Sequence, residues 1–323
     1  MKSALFFIFI IKLKKDYLYV ILYIVTNIFR GTCLMSNKYV IFTDTGSDLP
    51  ENIISRYGIK ILRLKYNIGG ESYDASVGAL PIDKFYQKMR NGEVSTTSQL
   101  NPNDVVTGFE PVIEEGTDIL YIAFSSGLSG TYNNGCIARD MLLEKYPDRK
   151  IIVVDSLAAS LGQGLFVYKA ACLREEGKTI EEVAEWCEEN KNHVIHTFTV
   201  EDLIYLFRGG RVSRTAQIAG TILGIKPVLH VDDEGHLIPI AKIRGRKQSL
   251  TALVDEAEKR LGDVKNAVFA ISHGDCIRDA EYVRDLVRSR LGINDCIISH
   301  VGPVIGSHSG PGTVALFMMG DHK

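Results

Sequence analysis

Apolar and polar positions along this chain fall into two regimes. Residues 39–43, 119–124 and 151–154 are short, near-continuous apolar runs, and the last is β-branched throughout. Such runs suit strands buried on both faces of a parallel sheet. Between them the spacing changes to the helical period. Ile82, Phe85, Tyr86 and Met89 stand at i, i+3, i+4 and i+7, with Pro81 in the first turn, where a missing N–H costs nothing. Ile180, Val183, Ala184 and Cys187 repeat that spacing on an acidic, exposed helix. The alternation predicts an α/β domain, doubly wound around a mostly parallel sheet.

The second half has a different rhythm. Residues 226–231 and 236–243 flank Asp232-Asp233-Glu234-Gly235, which predicts a hairpin. A helix follows, with Leu250, Leu253, Val254, Ala257 and Leu261 on one face. Strands are expected at 267–272, 296–301 and 314–319, and a helix at 278–291. This order predicts a mixed-sheet α/β domain. The division is placed after the acidic helix, giving one domain over 35–195 and a second over 196–323.

Residues 1–34 are a different material. Twenty-three of the 34 are apolar, and five basic groups oppose Asp16 alone. Neither apolar run reaches the roughly 20 residues of a membrane-spanning helix. The first resembles a signal-peptide core but lacks an A-x-A-like cleavage site. Met35 precedes Ser-Asn-Lys and the first strand. We therefore expect translation to start at Met35 and residues 1–34 to come from an over-extended reading frame. A membrane-associated hairpin is the alternative.

Composition narrows the classes. Of 323 residues, 46% are hydrophobic and 24% charged, as in an ordinary globular protein. The net charge is −2 overall, but residues 35–323 carry 32 basic against 38 acidic groups. An acidic chain of this kind argues against a nucleic-acid binder. The six cysteines form no C-x-x-C pair, which fits reduced core thiols in a cytoplasmic protein.

Six segments carry candidate chemistry. Asp44-Thr45-Gly46-Ser47 ends the first strand. An aspartic protease would need a second copy of this tetrapeptide, and there is none. Asp48 is expected to cap the next helix, with Pro50 in its first turn and Glu51 as capping-box partner. Ser125-Ser126-Gly127-Leu128-Ser129-Gly130-Thr131 joins a buried strand to a helix over 132–145. Hydroxyls, glycines and helix-start N–H groups together suit a carboxylate or phosphate. A plain helix cap explains the same residues. The segment is neither a Walker A loop nor a G-x-S-x-G elbow. Thr96-Thr97-Ser98-Gln99 is a second hydroxyl cluster, expected in a loop. The basic loops Arg208-Gly209-Gly210-Arg211, ahead of an apolar helix around 218–223, and Arg244-Gly245-Arg246-Lys247 face a pocket, a partner or solvent. His308 lies in a Gly- and Pro-rich stretch expected to be a tight loop. Neither metal-ligand spacing nor a nucleotide fingerprint is present.

Five of these segments occur in one order. They are Phe42-Thr43-Asp44-Thr45-Gly46-Ser47-Asp48-Leu49-Pro50, Thr97-Ser98-Gln99, residues 125–132, Arg208-Gly209-Gly210-Arg211 and His308-Ser309-Gly310-Pro311-Gly312-Thr313. Together they resemble the bacterial DegV family over roughly residues 38–320. The resemblance implies the fatty-acid-binding subunit of a fatty acid kinase: two α/β domains with a lipid tunnel between them. It implies no cofactor, no metal and no catalysis by this chain alone. A separate kinase subunit would phosphorylate the bound long-chain fatty acid to an acyl phosphate for phospholipid synthesis, with transient contact at a membrane surface. Carried over by motif, Thr97 and Ser129 would bind the carboxylate, with Ser126 as the reserve serine. Arg208 and His308 would line the head-group end, and Arg244 and Arg246 would face the kinase. The alternative is a stand-alone acyl hydrolase or phosphotransferase that uses Ser129 or His308.

Overall fold

The structure is a computed structural model that describes residues 39–75, 80–213 and 224–323. The expectations for residues 1–34, for Met35 and for a helix around 218–223 lie outside the described residues.

The apolar runs of the first half form a four-stranded sheet. Its strands are β1 (Tyr39–Asp44), β2 (Lys60–Leu62), β6 (Asp118–Ala123) and β7 (Ile151–Asp155). Their order is β2-β1-β6-β7, and every neighbouring pair is parallel. Both faces are covered, which is why these strands read as continuous apolar runs. On one face α2 (Ile82–Arg90), α3 (Pro102–Glu114) and α4 (Thr131–Lys145) build a cluster around Phe85, Phe109, Tyr121 and Leu142. On the other, α1 (Glu51–Tyr57), α5 (Leu161–Glu175) and α6 (Ile180–Asn190) pack around Ile41, Leu120, Phe166 and Val183. Capping boxes start two of these helices, Asn101 with Asp104 for α3 and Thr179 with Glu182 for α6.

A small antiparallel sheet, β4-β3-β5, was not predicted from the pattern. It comprises β3 (Lys65–Ile68), β4 (Glu71–Asp74) and β5 (Thr96–Ser98). The Thr96–Ser98 hydroxyl cluster is therefore strand, not loop. Its polar residues pair with β3, Thr97 opposite Tyr66 and Thr96 opposite Asn67. Such a partner, so distant in sequence, leaves no local signal.

The second half forms a six-stranded sheet ordered β10-β9-β8-β13-β11-β12. It contains β8 (Val194–Thr199), β9 (Ile225–Val231), β10 (Leu237–Arg244), β11 (Val268–His273), β12 (Asp295–His300) and β13 (Val314–Met319). Only β11 and β12 pair in parallel. β8 begins at Val194, so a division between 195 and 196 cuts through it. The helices α8 (Arg246–Leu261) and α9 (Ile277–Leu291) bury Leu253, Val254, Ala280 and Val283 against this sheet. Two short helices complete it, α7 (Ile204–Arg208) and α10 (Pro303–Ser309). α10 corrects the loop expected around His308: Gly302 caps it, Pro303 opens it, and Gly310 ends it at φ 80°. The start of α5 joins the two sheets, since Leu161 and Leu165 pack against Phe198, Ala315 and Phe317.

Candidate functional site

The strand order places a topological switch point between β1 and β6, because β1 passes to β2 on one side and β6 to β7 on the other. Ligands of doubly wound sheets bind in the crevice beyond such strand ends. Here the 44–48 turn leaves β1 and the serine loop leaves β6. Asp44 ties them together: its carboxylate accepts the Gly46 N–H (3.0 Å), the Phe124 N–H (2.9 Å) and the Tyr121 hydroxyl (3.0 Å). Burial raises its pKa, and these three donors oppose the rise.

Asp48 does not cap α1. The N-cap is Pro50, with no side-chain bond. Asp48 instead sits buried at φ 51°, accepting the Gly302 N–H at Oδ1 (2.9 Å), with Ser160 Oγ 2.5 Å from Oδ2. Burial pushes its pKa up to about 7. Its carboxylate is taken up by Ser160 and Gly302, and the helix begins at Glu51, after Pro50, which has no side-chain group to cap it.

Between the two sheets lies a cavity of about 430 Å³, within the usual range of small-molecule sites. Its walls are mostly apolar. Leu64, Phe124 and Leu128 come from the first half, and Phe198, Val301 and Phe317 from the second. A polar patch is built by Thr97, Gln99, Ser129, Arg211 and His308. Thr97 Oγ1 and His308 Nε2 are 2.7 Å apart. Gln99 Oε1 accepts the Gly130 N–H (3.0 Å), which locks the β5 cluster against the serine loop. The Arg211 Nε and Nη2 groups donate to the Leu128 carbonyl at 3.1 and 2.9 Å, and Nη1 donates to the Gly209 carbonyl. Burial, reinforced by Arg211, pushes the His308 pKa down to about 4, so the ring is neutral at pH 7. Its Nδ1 is buried without a partner, against Gly209. A Cβ on Gly209 would stand 2.1 Å from that nitrogen.

The predicted residues therefore separate. Thr97, Ser129 and His308 share the cavity. Ser126 is exposed and does not line it; its N–H donates to Asp155 Oδ1 (3.1 Å). Arg208 lies outside the large cavity and lines a neighbouring polar one of about 190 Å³, which shares Thr97, Arg211 and His308 with it. Within the Arg-Gly-Gly-Arg motif, it is the second arginine that reaches the main cavity. Arg244 ends β10, exposed. Arg246 is tied down by Asp279 (2.8 Å) and the Gly312 carbonyl (2.5 Å). Neither arginine lines the cavities. Sequence reasoning missed Gln99 and Arg211 as cavity residues, although both stand inside motifs it quoted.

Catalytic geometry between the two candidate catalysts is not assembled. Ser129 Oγ is 2.9 Å from Thr131 Oγ1, whereas His308 pairs with Thr97. His196, also on the wall, holds Val194 O at 2.8 Å through Nδ1, and burial takes its pKa down to about 3. The five described cysteines are unbridged. Among the described residues, Asp232, Glu234 and His236 form one group with metal-ligand spacing, on the β9–β10 turn. There Asp232 Oδ1 already accepts the Glu234 and His236 N–H groups. Among the described residues, no helix is long and apolar enough to cross a membrane.

Fold and cavity together define a two-domain α/β protein that encloses an apolar pocket with a hydroxyl-rich polar patch beside one arginine. The chain belongs to the DegV family. The family model, described as an uncharacterised protein family, matches residues 38–321. A DegV domain-containing protein of Clostridium perfringens is 47% identical over 287 residues, 88% of this chain and 99% of that protein. A DegV family protein from Thermus thermophilus, described as fatty acid binding, superimposes with a TM-score of 0.75 at 30% identity, covering 88% of this chain and 99% of that one. A Thermotoga maritima protein, whose structure is described as revealing a fatty acid binding function, matches with a TM-score of 0.75 at 31% identity and the same coverage.

Proposed function

We propose that this chain binds a long-chain fatty acid, with the acyl chain in the 430 Å³ cavity and the carboxylate at Thr97, Ser129 and His308. The observation that carries the reading is the pairing of apolar walls with a patch that holds hydroxyls, a neutral imidazole and a single guanidinium. Each buried CH₂ contributes about 0.8 kcal/mol, so the walls supply affinity. The polar patch supplies orientation. A carboxylate held mainly by neutral donors keeps electron density on its oxygens and stays nucleophilic. We therefore further propose that a separate kinase subunit phosphorylates it. The smaller polar cavity beside Thr97 and His308, with Arg208 on its wall, supports that role by giving a phosphoryl group somewhere to approach. Catalysis by this chain alone is disfavoured, since Ser129 and His308 are not paired.

The test is mass spectrometry of the organic extract from denatured, purified protein. One equivalent of fatty acid is expected. An empty protein that hydrolyses acyl esters without a partner would overturn the proposal. Incubation of the loaded protein with ATP should yield acyl phosphate only after a kinase subunit is added.

A further inference from the structure

The motif around Asp48 has no role in the proposed head-group contacts, yet it holds a buried acid between the two halves of the molecule. Asp48 comes from the turn after β1. Its Oδ1 accepts the N–H of Gly302, the N-cap of α10, and α10 carries His308. Its Oδ2 lies 2.5 Å from Ser160 Oγ, at the N-cap of α5, and Ser160 Oγ lies 2.8 Å from Ser272 Oγ in β11. Both serines line the cavity. The approach is close enough to demand glycine at 302, since a Cβ there would stand 2.7 Å from Oδ1. Asp48 and Ser160 both hold positive φ, 51° and 53°, strained for non-glycine residues. Strain of this kind persists where the surroundings over-determine a conformation.

From this geometry we infer that Asp48 is a positioning residue for the head-group patch, acting through Gly302 and α10 on His308. The inference rests on the fatty-acid reading for its ligand. α10 is fixed to the first half at both ends. Tyr86 donates to the Val301 carbonyl (2.7 Å) beside the Asp48 bond, while Ser95 meets Ser307 (2.6 Å) and Thr97 meets His308 at the far end. Ionised Asp48 accepts from both Gly302 and Ser160, and charge-assisted bonds of this kind are the stronger ones. Protonated Asp48 must donate through Oδ2, which reverses the Ser160–Ser272 pair and weakens the hold on Gly302. The titratable groups facing it are Asp44 on its own turn, which opposes its ionisation, and Tyr86 of α2. From α5, β11 and α10 it meets the Ser160 and Ser272 hydroxyls and the Gly302 N–H, all neutral. No basic side chain compensates it among the bonds its carboxylate makes.

The experiment follows dissociation of a fluorescent polyene fatty acid from the full chain at pH 6 and pH 8. Asp48→Asn mimics the protonated acid without changing its size. The wild-type off-rate should rise several-fold between pH 8 and pH 6, and the Asp48→Asn protein should release the probe fast at both. A flat wild-type profile, or a variant that matches wild type at pH 8, overturns the inference. The wild-type profile decides alone if the variant does not fold. If neither protein holds the probe, the fatty-acid reading fails, and the His308 ring resonances of the ligand-free proteins decide this one. A shift in those resonances near pH 7 that is lost in Asp48→Asn supports it, and identical profiles overturn it.

Discussion

Replacing Asp48 by asparagine should stabilise the fold at pH 8 and leave it nearly unchanged at pH 4. Burial raises this carboxyl from 3.8 to about 7. Each tenfold change in proton affinity is about 1.4 kcal/mol, so keeping Asp48 ionised in the native state costs about 4 kcal/mol. The sign is fixed by proton counting. Between pH 3.8 and about 7 the native state holds the proton and the unfolded chain has lost it. Stability is therefore full below pH 4, falls as pH rises through this window, and is level above it. Asparagine never ionises and escapes that loss. The bonds that Ser160 and Gly302 donate to the charged form are already contained in the shift to about 7. The net expectation is a gain of up to about 4 kcal/mol at pH 8, or several degrees in Tm for a chain of this size. Urea unfolding of both proteins at pH 4.5 and pH 8, with thermal melts alongside, reads the difference directly. A variant destabilised by the same amount at both pH values would refute the argument, because a pH-independent loss means the acid is not carrying an uncompensated charge. A more stable protein that holds its ligand less well would mark Asp48 as retained for function rather than for folding.

Three further outcomes follow from the cavity. Thr97→Ala removes the hydroxyl beside His308 and should weaken fatty-acid affinity about tenfold, while Thr97→Ser should restore it, as titration calorimetry would show. Gly209→Ala keeps a helical backbone (φ −74°) but drives a Cβ into His308 Nδ1, so it should cost about 1–3 kcal/mol in thermal melts and weaken ligand retention; an unchanged protein would mean the ring lies elsewhere. His308, lowered from 6.5 to about 4, should stay neutral between pH 5 and 8, its ring resonances showing at most the small Asp48-linked shift and not the large one of imidazole protonation, and its burial should remove stability as pH falls from 6.5 towards 4, where only the unfolded chain takes up the proton.

Much of the scaffold was legible. Strands β1, β6 and β7 announce themselves because both of their faces are buried, and α2 and α6 because one face of each is. The hairpin β9–β10, the helices α8 and α9 and the last strand follow the predicted positions closely. The candidate cluster was legible in part. Thr97, Ser129 and His308 stand in hydroxyl- or glycine-rich segments that also read locally as turn, cap or loop, and the fold gathers them at one cavity.

What sequence alone determined was whatever depends on periodicity and short-range chemistry: the parallel strands, the amphipathic helices and the hydroxyl-bearing junctions. Tertiary structure decided which faces meet. Thr96–Ser98 became a strand because β3 offered an unpaired edge, and the His308 segment became a helix once Gly302 was held by a residue 254 positions away. Ser126 and Ser129 are equivalent in composition, yet one turn of chain points the first to solvent and sets the second on the cavity wall. Asp48 could be read locally as a helix cap; burial between the two halves made it an acid with a pKa near 7. Burial and long-range pairing depend on the whole packed chain, so no window of sequence contains them.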